Sequence, residues 1–229
     1  SNTDGSITSS VSANTDAGFS IVSWSGNTTS GATVGHGLGV APDVIIFKRR
    51  DGTSDWHTYH SSISNGNTYL AYLNTTAVPA SSGAFLNSTY PSSSVITLGS
   101  SAGTNGSSMI AYCFANTDGY LKAGSYTGNG SSDGPFVYTG FRPGWIMIKR
   151  TDSTTNWYLY DAKRNAYNLV NGILQPNEPD AEATSSNNSL DFTSNGFKLR
   201  GSGATLNASG GSHIYLAFAE SPFKYANAR

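Results

Sequence analysis

The sequence predicts an all-β protein built of two tandem β-sandwich-like, jelly-roll-like repeats, mostly antiparallel and with little helix. Three observations lead there. Residues 43–59, DVIIFKRRDGTSDWHTY, return as residues 144–160, GWIMIKRTDSTTNWYLY, with Ile45/Ile146, Lys48/Lys149, Arg49/Arg150, Asp51/Asp152, Thr53/Thr154, Trp56/Trp157 and Tyr59/Tyr160 identical at one fixed spacing. That is far more identity than chance pairing gives, and it marks an internal duplication. Ser, Thr, Asn and Gly make up nearly half of the chain while charged residues are only 12% and aromatics 12%. Such a composition disfavours helix interiors and suits short strands joined by long turns. Lastly, IAYCFA (residues 110–115) and IYLAFA (214–219) alternate with a two-residue period in both copies.

In chain order, residues 1–17 read as a polar linker or the end of a preceding unit, too small and hydrophilic for a core. Asn-Thr-Asp occurs there at Asn2 and Asn14 and again at Asn116, where one repeat hands over to the next. Repeat one is expected over residues 18–116 and repeat two over 117–229. They open on GFSIVSWSGN and GYLKAGSYTGN, in which Gly18/Gly119 match at 101 but Trp24/Tyr126 at 102. One extra residue would reverse the faces that follow unless a bulge absorbs it, so a bulge is expected near Ala123 and Gly124. Pro42 and Pro143 then fix where the next strands start. Residues 44–48 and 145–149 are apolar without alternation, as in a central strand. Residues 61–90 and 162–189 diverge between the copies, as loops do, and are where binding specificity is expected. In the closing strands Ile110, Tyr112 and Phe114 align with Ile214, Leu216 and Phe218 on a bulky face, leaving Ala111, Cys113 and Ala115 on a small one.

Chemistry is sparse. GSSAG (99–103) matches the serine-hydrolase elbow pattern, but the following TNGSS does not suggest the helix an elbow needs. His36, His57, His60 and His213 lack metal-site spacing and read as strand-surface residues. NEPDAE (177–182) gathers three acids without the regularity of a calcium loop. Cys113 lies in an apolar run and reads as a buried, inert thiol. No catalytic residue, metal or cofactor is expected. A net charge of −1 offers no field for phosphate backbones, so nucleic acid is not an expected partner; Lys48, Arg49 and Arg50 read as a solvated strand end. No apolar run is long enough for a membrane span.

Aromatics beside short polar side chains are the usual sugar-binding surface, because ring faces take sugar C–H groups while Asn and Asp satisfy hydroxyls. Trp24, Trp56, Tyr59, Tyr126, Trp157 and Tyr160 are the candidates, with Asp51 and Asp152 nearby. A tryptophan repeated at matched positions also fits a plug in each repeat's core, and Trp56 and Trp157 read more readily that way.

The stretches GFSIVSWSGN, ATVGHGLGVAPDVIIFKRR, GSYTGNGSSDGPFVYTGFRPGWIMIKRTDSTTNWYLYD, DFTSNGFKLR and YLAFAESPFKYANAR cover most of residues 18–229. Together they resemble a repeat domain of tailed-phage virion proteins, especially tail fibres and minor structural proteins of marine phages. The resemblance implies a virion surface location, other virion proteins as partners, a non-enzymatic role in host attachment with a host glycan or receptor as ligand, and a homo-oligomer, with a trimer favoured. The alternatives are a lectin-like carbohydrate-binding module and, third, a polysaccharide depolymerase. The last requires paired carboxylates about 5 to 9.5 Å apart, and Asp51/Asp152 are the only acids matched between the copies.

Overall fold

The computed structural model describes residues 1–63 and 69–222; part of the divergent stretch 61–90 and the closing residues 223–229 lie outside the described residues. The chain forms two compact units. One holds Ser1–Leu73 and Pro79–Asn116, the other Asn74–Val78 and Thr117–Arg229.

The first unit contains β1 (Ser9–Asn14), β2 (Phe19–Trp24), β3 (Thr33–Gly35), β4 (Val44–Arg49), β5 (His57–His60), β6 (Tyr69–Tyr72), β7 (Ala80–Ser81), β8 (Val95–Thr97) and β9 (Met109–Phe114), with one-turn helices α1 (Gly83–Leu86) and α2 (Ala102–Asn105). Its main sheet runs β1-β2-β9-β4-β5-β6-β7, and β3 pairs with β8 separately. The second unit contains β10 (Leu121–Thr127), β11 (Phe136–Tyr138), β12 (Pro143–Arg150), β13 (Trp157–Asp161), β14 (Gly172–Ile173), β15 (Ala183–Thr184), β16 (Leu190–Thr193), β17 (Gly196–Leu199) and β18 (Ser212–Ala219), with α3 (Ala204–Asn207). Its sheets run β10-β18-β12-β13, β11-β17-β16 and β14-β15. Every pairing between these strands is antiparallel. The fold is thus all-β and sandwich-like, with helix reduced to single turns.

Each unit has its own core. In the first, Phe47 of β4 meets Trp24 and Phe85 edge to face at 6.2 and 5.7 Å, beside Ile45, Ile96, Met109 and Cys113. In the second, Ile146, Ile148, Tyr160, Phe192, Phe197 and Tyr215 do the same work. Burying one such side chain stabilises the fold by roughly 1.5 to 3 kcal/mol. The apolar runs at 44–48 and 145–149 lie inside their sheets, β4 between β9 and β5 and β12 between β18 and β13. In β9 it is the small face, Ala111 and Cys113, that looks into the core, while Ile110, Tyr112 and Phe114 are half-buried on the other side.

Three expectations are corrected. Residues 1–17 are not a linker: β1 pairs with β2 along its whole length, and Ile7 bridges Val34 of β3. Its polarity suits an edge strand whose side chains mostly face water. No bulge interrupts β10, whose register against β18 is continuous from Leu121 to Thr127. The extra residue sits in the preceding turn instead: Ala115 N donates to Gly18 O, whereas the matching Ala219 N donates to Tyr120 O. The four histidines are not on strand surfaces but buried, where backbone groups satisfy them. The His36 ring, for example, takes the Leu38 N–H on Nδ1 and meets Ser92 O through Nε2.

Candidate functional site

Four of the six aromatic candidates, Trp24, Tyr59, Trp157 and Tyr160, are buried, and none of these can offer a ring face to a ligand. Tyr160 spends its hydroxyl on Asn188 O at 2.7 Å. The half-buried pair have their faces occupied. Tyr126 stacks on His213 at 4.8 Å between centroids and donates to Leu206 O, while Trp56 lies 5.3 Å below the Lys48 ammonium. The candidate glycan surface drawn from these six is therefore core and its margin, because residues kept in both copies are kept for packing.

Asp51 and Asp152 are exposed but act as staples. Arg49 Nε reaches Asp51 Oδ1 at 2.7 Å and Arg150 Nε reaches Asp152 Oδ1 at 2.6 Å. The Arg49 hydrogen bond and a donation from Ser107 Oγ hold the Asp51 carboxyl below its usual range; Arg150 does the same for Asp152. Both stay ionised and neither resembles a general acid. In GSSAG a one-turn helix does follow, contrary to expectation, but Ser101 Oγ caps it by accepting from Gly103 N at 3.2 Å. Among the described residues no three His, Cys, Asp or Glu side chains gather to hold a metal, and no helix is long and apolar enough to cross a membrane. Burial pushes the Cys113 thiol up to about 12, which leaves it unreactive.

Lys149 is fully buried, and its ammonium donates to Thr155 O at 2.6 Å and to Thr76 O at 3.0 Å. Burial lowers its pKa to about 8. An unfolded lysine titrates near 10.4, so between about pH 8 and 10 this side chain holds its proton in the unfolded chain and not in the folded one, and its contribution makes stability rise with pH. The Cys113 thiol, raised by burial to about 12 from an unfolded value near 8.5, opposes this above about pH 8.5, and tyrosines raised by burial, Tyr126 and Tyr160 among them, add to the opposition above their unfolded value of about 10. Thermal melts across the window should stay nearly level for the native chain, where the two shifts offset, and fall with pH for Lys149→Met; equal slopes would contradict this account.

What the sequence missed is on β11. Phe136 and Tyr138 are 47% and 64% exposed, while Val137 between them is buried. Their cross-strand partners on β17 are Lys198 and Gly196, which pair in turn with Asp191 and Thr193 of β16. These six residues share the outward face of the three-stranded sheet, because directly opposed residues point the same way. Gly196 is needed here: a Cβ on it would stand 2.1 Å from the Val137 carbonyl oxygen and 2.9 Å from the Phe136 ring, so the bare backbone also leaves room for that ring to lie across the neighbouring strand. Ion pairs flank the rings, Lys198 to Asp133 at 2.8 Å and Arg200 to Asp191 at 2.8 Å. Beyond β16, Val170 bridges Leu190, and Tyr167, 87% exposed, stands next to Asn168, whose amide closes on Phe192. From β11 to that segment is about 14 Å at the usual strand spacing. The first unit has Thr33, Gly35, Val95 and Thr97 at the matching places. A contrast between otherwise parallel copies was the available signal.

Residues 1–222 match the model of a family described as Domain of unknown function (DUF7483), so the match takes in both repeats and the N-terminal arm. No curated protein and no solved structure matches the chain.

Proposed function

We propose, on the premise that this chain belongs to that DUF7483 family, that it is a non-enzymatic attachment module of a phage virion that binds a host surface glycan. The observation that carries this reading is the outward face of β11, β17 and β16. It sets two exposed aromatic rings beside two ion pairs, a combination that takes sugar C–H faces and hydroxyls together. The virion location is supported by the resemblance of the repeats to tail-fibre and minor structural proteins. The non-enzymatic part is supported by Asp51 and Asp152, each held ionised by its arginine.

A glycan array of host polysaccharides is the test. The native chain should bind, and Phe136→Ala/Tyr138→Ala should weaken binding about tenfold or more, since each tenfold corresponds to about 1.4 kcal/mol. Thr33→Ala in the first unit should leave it unchanged. Absence of binding to any host glycan would leave an architectural role, and shortened glycan chains after incubation would favour the depolymerase reading. A lectin-like module outside the virion would bind identically, and immunogold labelling of virions separates the two.

A further inference from the structure

The two units share a polar socket that is filled in one and, among the described residues, open in the other. In the second unit Thr76 O accepts from both Lys149 Nζ at 3.0 Å and Thr155 N at 3.1 Å. Thr76 lies in Asn74–Val78, the tip of the β6–β7 loop, which is built into the second unit. The first unit repeats the receiving residues at the same spacing, Lys48 for Lys149, Ser54 for Thr155 and Trp56 for Trp157. Lys48 Nζ donates to Ser54 O just as Lys149 Nζ donates to Thr155 O. The Ser54 N–H, however, has no acceptor among the described residues, and Lys48 is half-buried where Lys149 is fully buried.

The surrounding sheet face differs in the same sense. Met147, Lys149, Ile214 and Leu216, which oppose one another across β12 and β18, are all buried. Their counterparts Ile46, Lys48, Ile110 and Tyr112, opposed across β4 and β9, are half-buried. An apolar face around a cation with a spare backbone donor fits an extended segment that presents a carbonyl oxygen.

The second unit carries the loop that matches the donor. Leu70 pairs with Ala80 and Ile173 with Ala183, which aligns the β6–β7 loop with the β14–β15 loop and sets Asn74 against Asn177 and Thr76 against Pro179. In the second loop Asn177 is anchored, its Oδ1 accepting from Trp157 N at 2.8 Å, while Glu178, Pro179 and Asp180 beyond it are exposed. Asn74–Val78 has no charged residue. The matched tip has two acids, and the open socket has Lys48 with the exposed Arg50 beside it.

We propose that copies of this chain associate head to tail, residues 177–181 of one copy seating on the Lys48, Ser54 and Trp56 face of the next and placing the Pro179 carbonyl where Thr76 O lies in the second unit. Such an interface is heterologous, so it closes into a ring if the rotation between copies allows and builds open chains if it does not. It does not depend on the glycan reading.

Sedimentation velocity at about 50 mM salt, where surface charges are weakly screened, tests it. The native chain should form larger species as its concentration rises, a ladder or one closed ring. Lys48→Glu and, separately, Glu178→Lys/Asp180→Lys should each weaken association about tenfold or more, as loss of complementary charge does. The second variant alters only exposed loop side chains, so a folding defect in Lys48→Glu would not spoil the test. Mixing the two variants should restore association, because the unaltered tip of one meets the unaltered Lys48 face of the other and the two reversed ends are also of opposite charge. A native chain that stays monomeric, association insensitive to both variants, or a mixture that does not associate would overturn the proposal.

Discussion

Asn207→Ala should destabilise the second unit by about 3 kcal/mol, the cost of stranding several buried backbone groups at once. Asn207 is fully buried and ties two loops to α3. Its Oδ1 accepts from Asn129 N at 2.8 Å, and its Nδ2 faces Ser131 O at 2.7 Å and Gly201 O at 3.0 Å. Asn105 repeats the set in the first unit, with Asn27 N, Thr29 O and Gly99 O, and Asn105→Ala should cost a similar amount. The loops come so close that a Cβ on Gly26 or Gly128 would stand 2.3 Å from Gly106 O or Ala208 O. Asn207→Asp keeps the shape and the acceptor but turns a carboxylate toward two carbonyl oxygens, so it should be at least as harmful as alanine. Urea unfolding decides the matter. A loss under about 1 kcal/mol for alanine, the worth of one ordinary hydrogen bond, or native-like stability for aspartate, would show that the amide is not the pin described.

Acid should weaken the fold well before its carboxylates titrate. Both nitrogens of His213 face carbonyl oxygens, Gly211 O at 3.1 Å and Thr205 O at 3.2 Å, which favours the doubly protonated ring. Burial opposes it and prevails, lowering the pKa to about 4. His36 and His57 are lowered for the same reason. Between about pH 6.5 and 4 the unfolded chain therefore binds protons that the folded chain refuses, so stability falls as pH falls. For His213 alone the loss by pH 4 is about 3 kcal/mol, since each tenfold drop in proton affinity corresponds to roughly 1.4 kcal/mol. The lowered carboxyls of Asp51, Asp133 and Asp152 matter only below this window. The first unit supplies the control: Met109, paired with Trp24 of β2, occupies the place that His213 holds opposite Tyr126 of β10. His213→Met should fold and show a shallower loss of stability between pH 7 and 4.5. An unchanged slope would assign the acid sensitivity elsewhere.

The repeated strands were legible because apolar side chains recur there with strand periodicity in both copies. The β1 strand was not, since SSVSAN buries almost nothing and exists through backbone pairing, which leaves no hydrophobic signature. Asn105 and Asn207 went unread for a related reason. An asparagine in a chain rich in asparagine is conspicuous only when its burial and the two loops it holds are seen. For the proposed glycan surface, comparing the copies pointed the wrong way. Shared aromatics such as Trp157 and Tyr160 are shared because they pack, whereas Phe136 and Tyr138 stand where the first copy has Thr33 and Gly35.

The borrowed pieces, residues 1–14 on the first unit and Asn74–Val78 in the second, mean that the stretch that was duplicated and the stretch that folds have different limits. Excising either half along the lines of sequence likeness would sever a bond-making strand or loop from its host. Inheritance here proceeds by one set of borders and architecture by another.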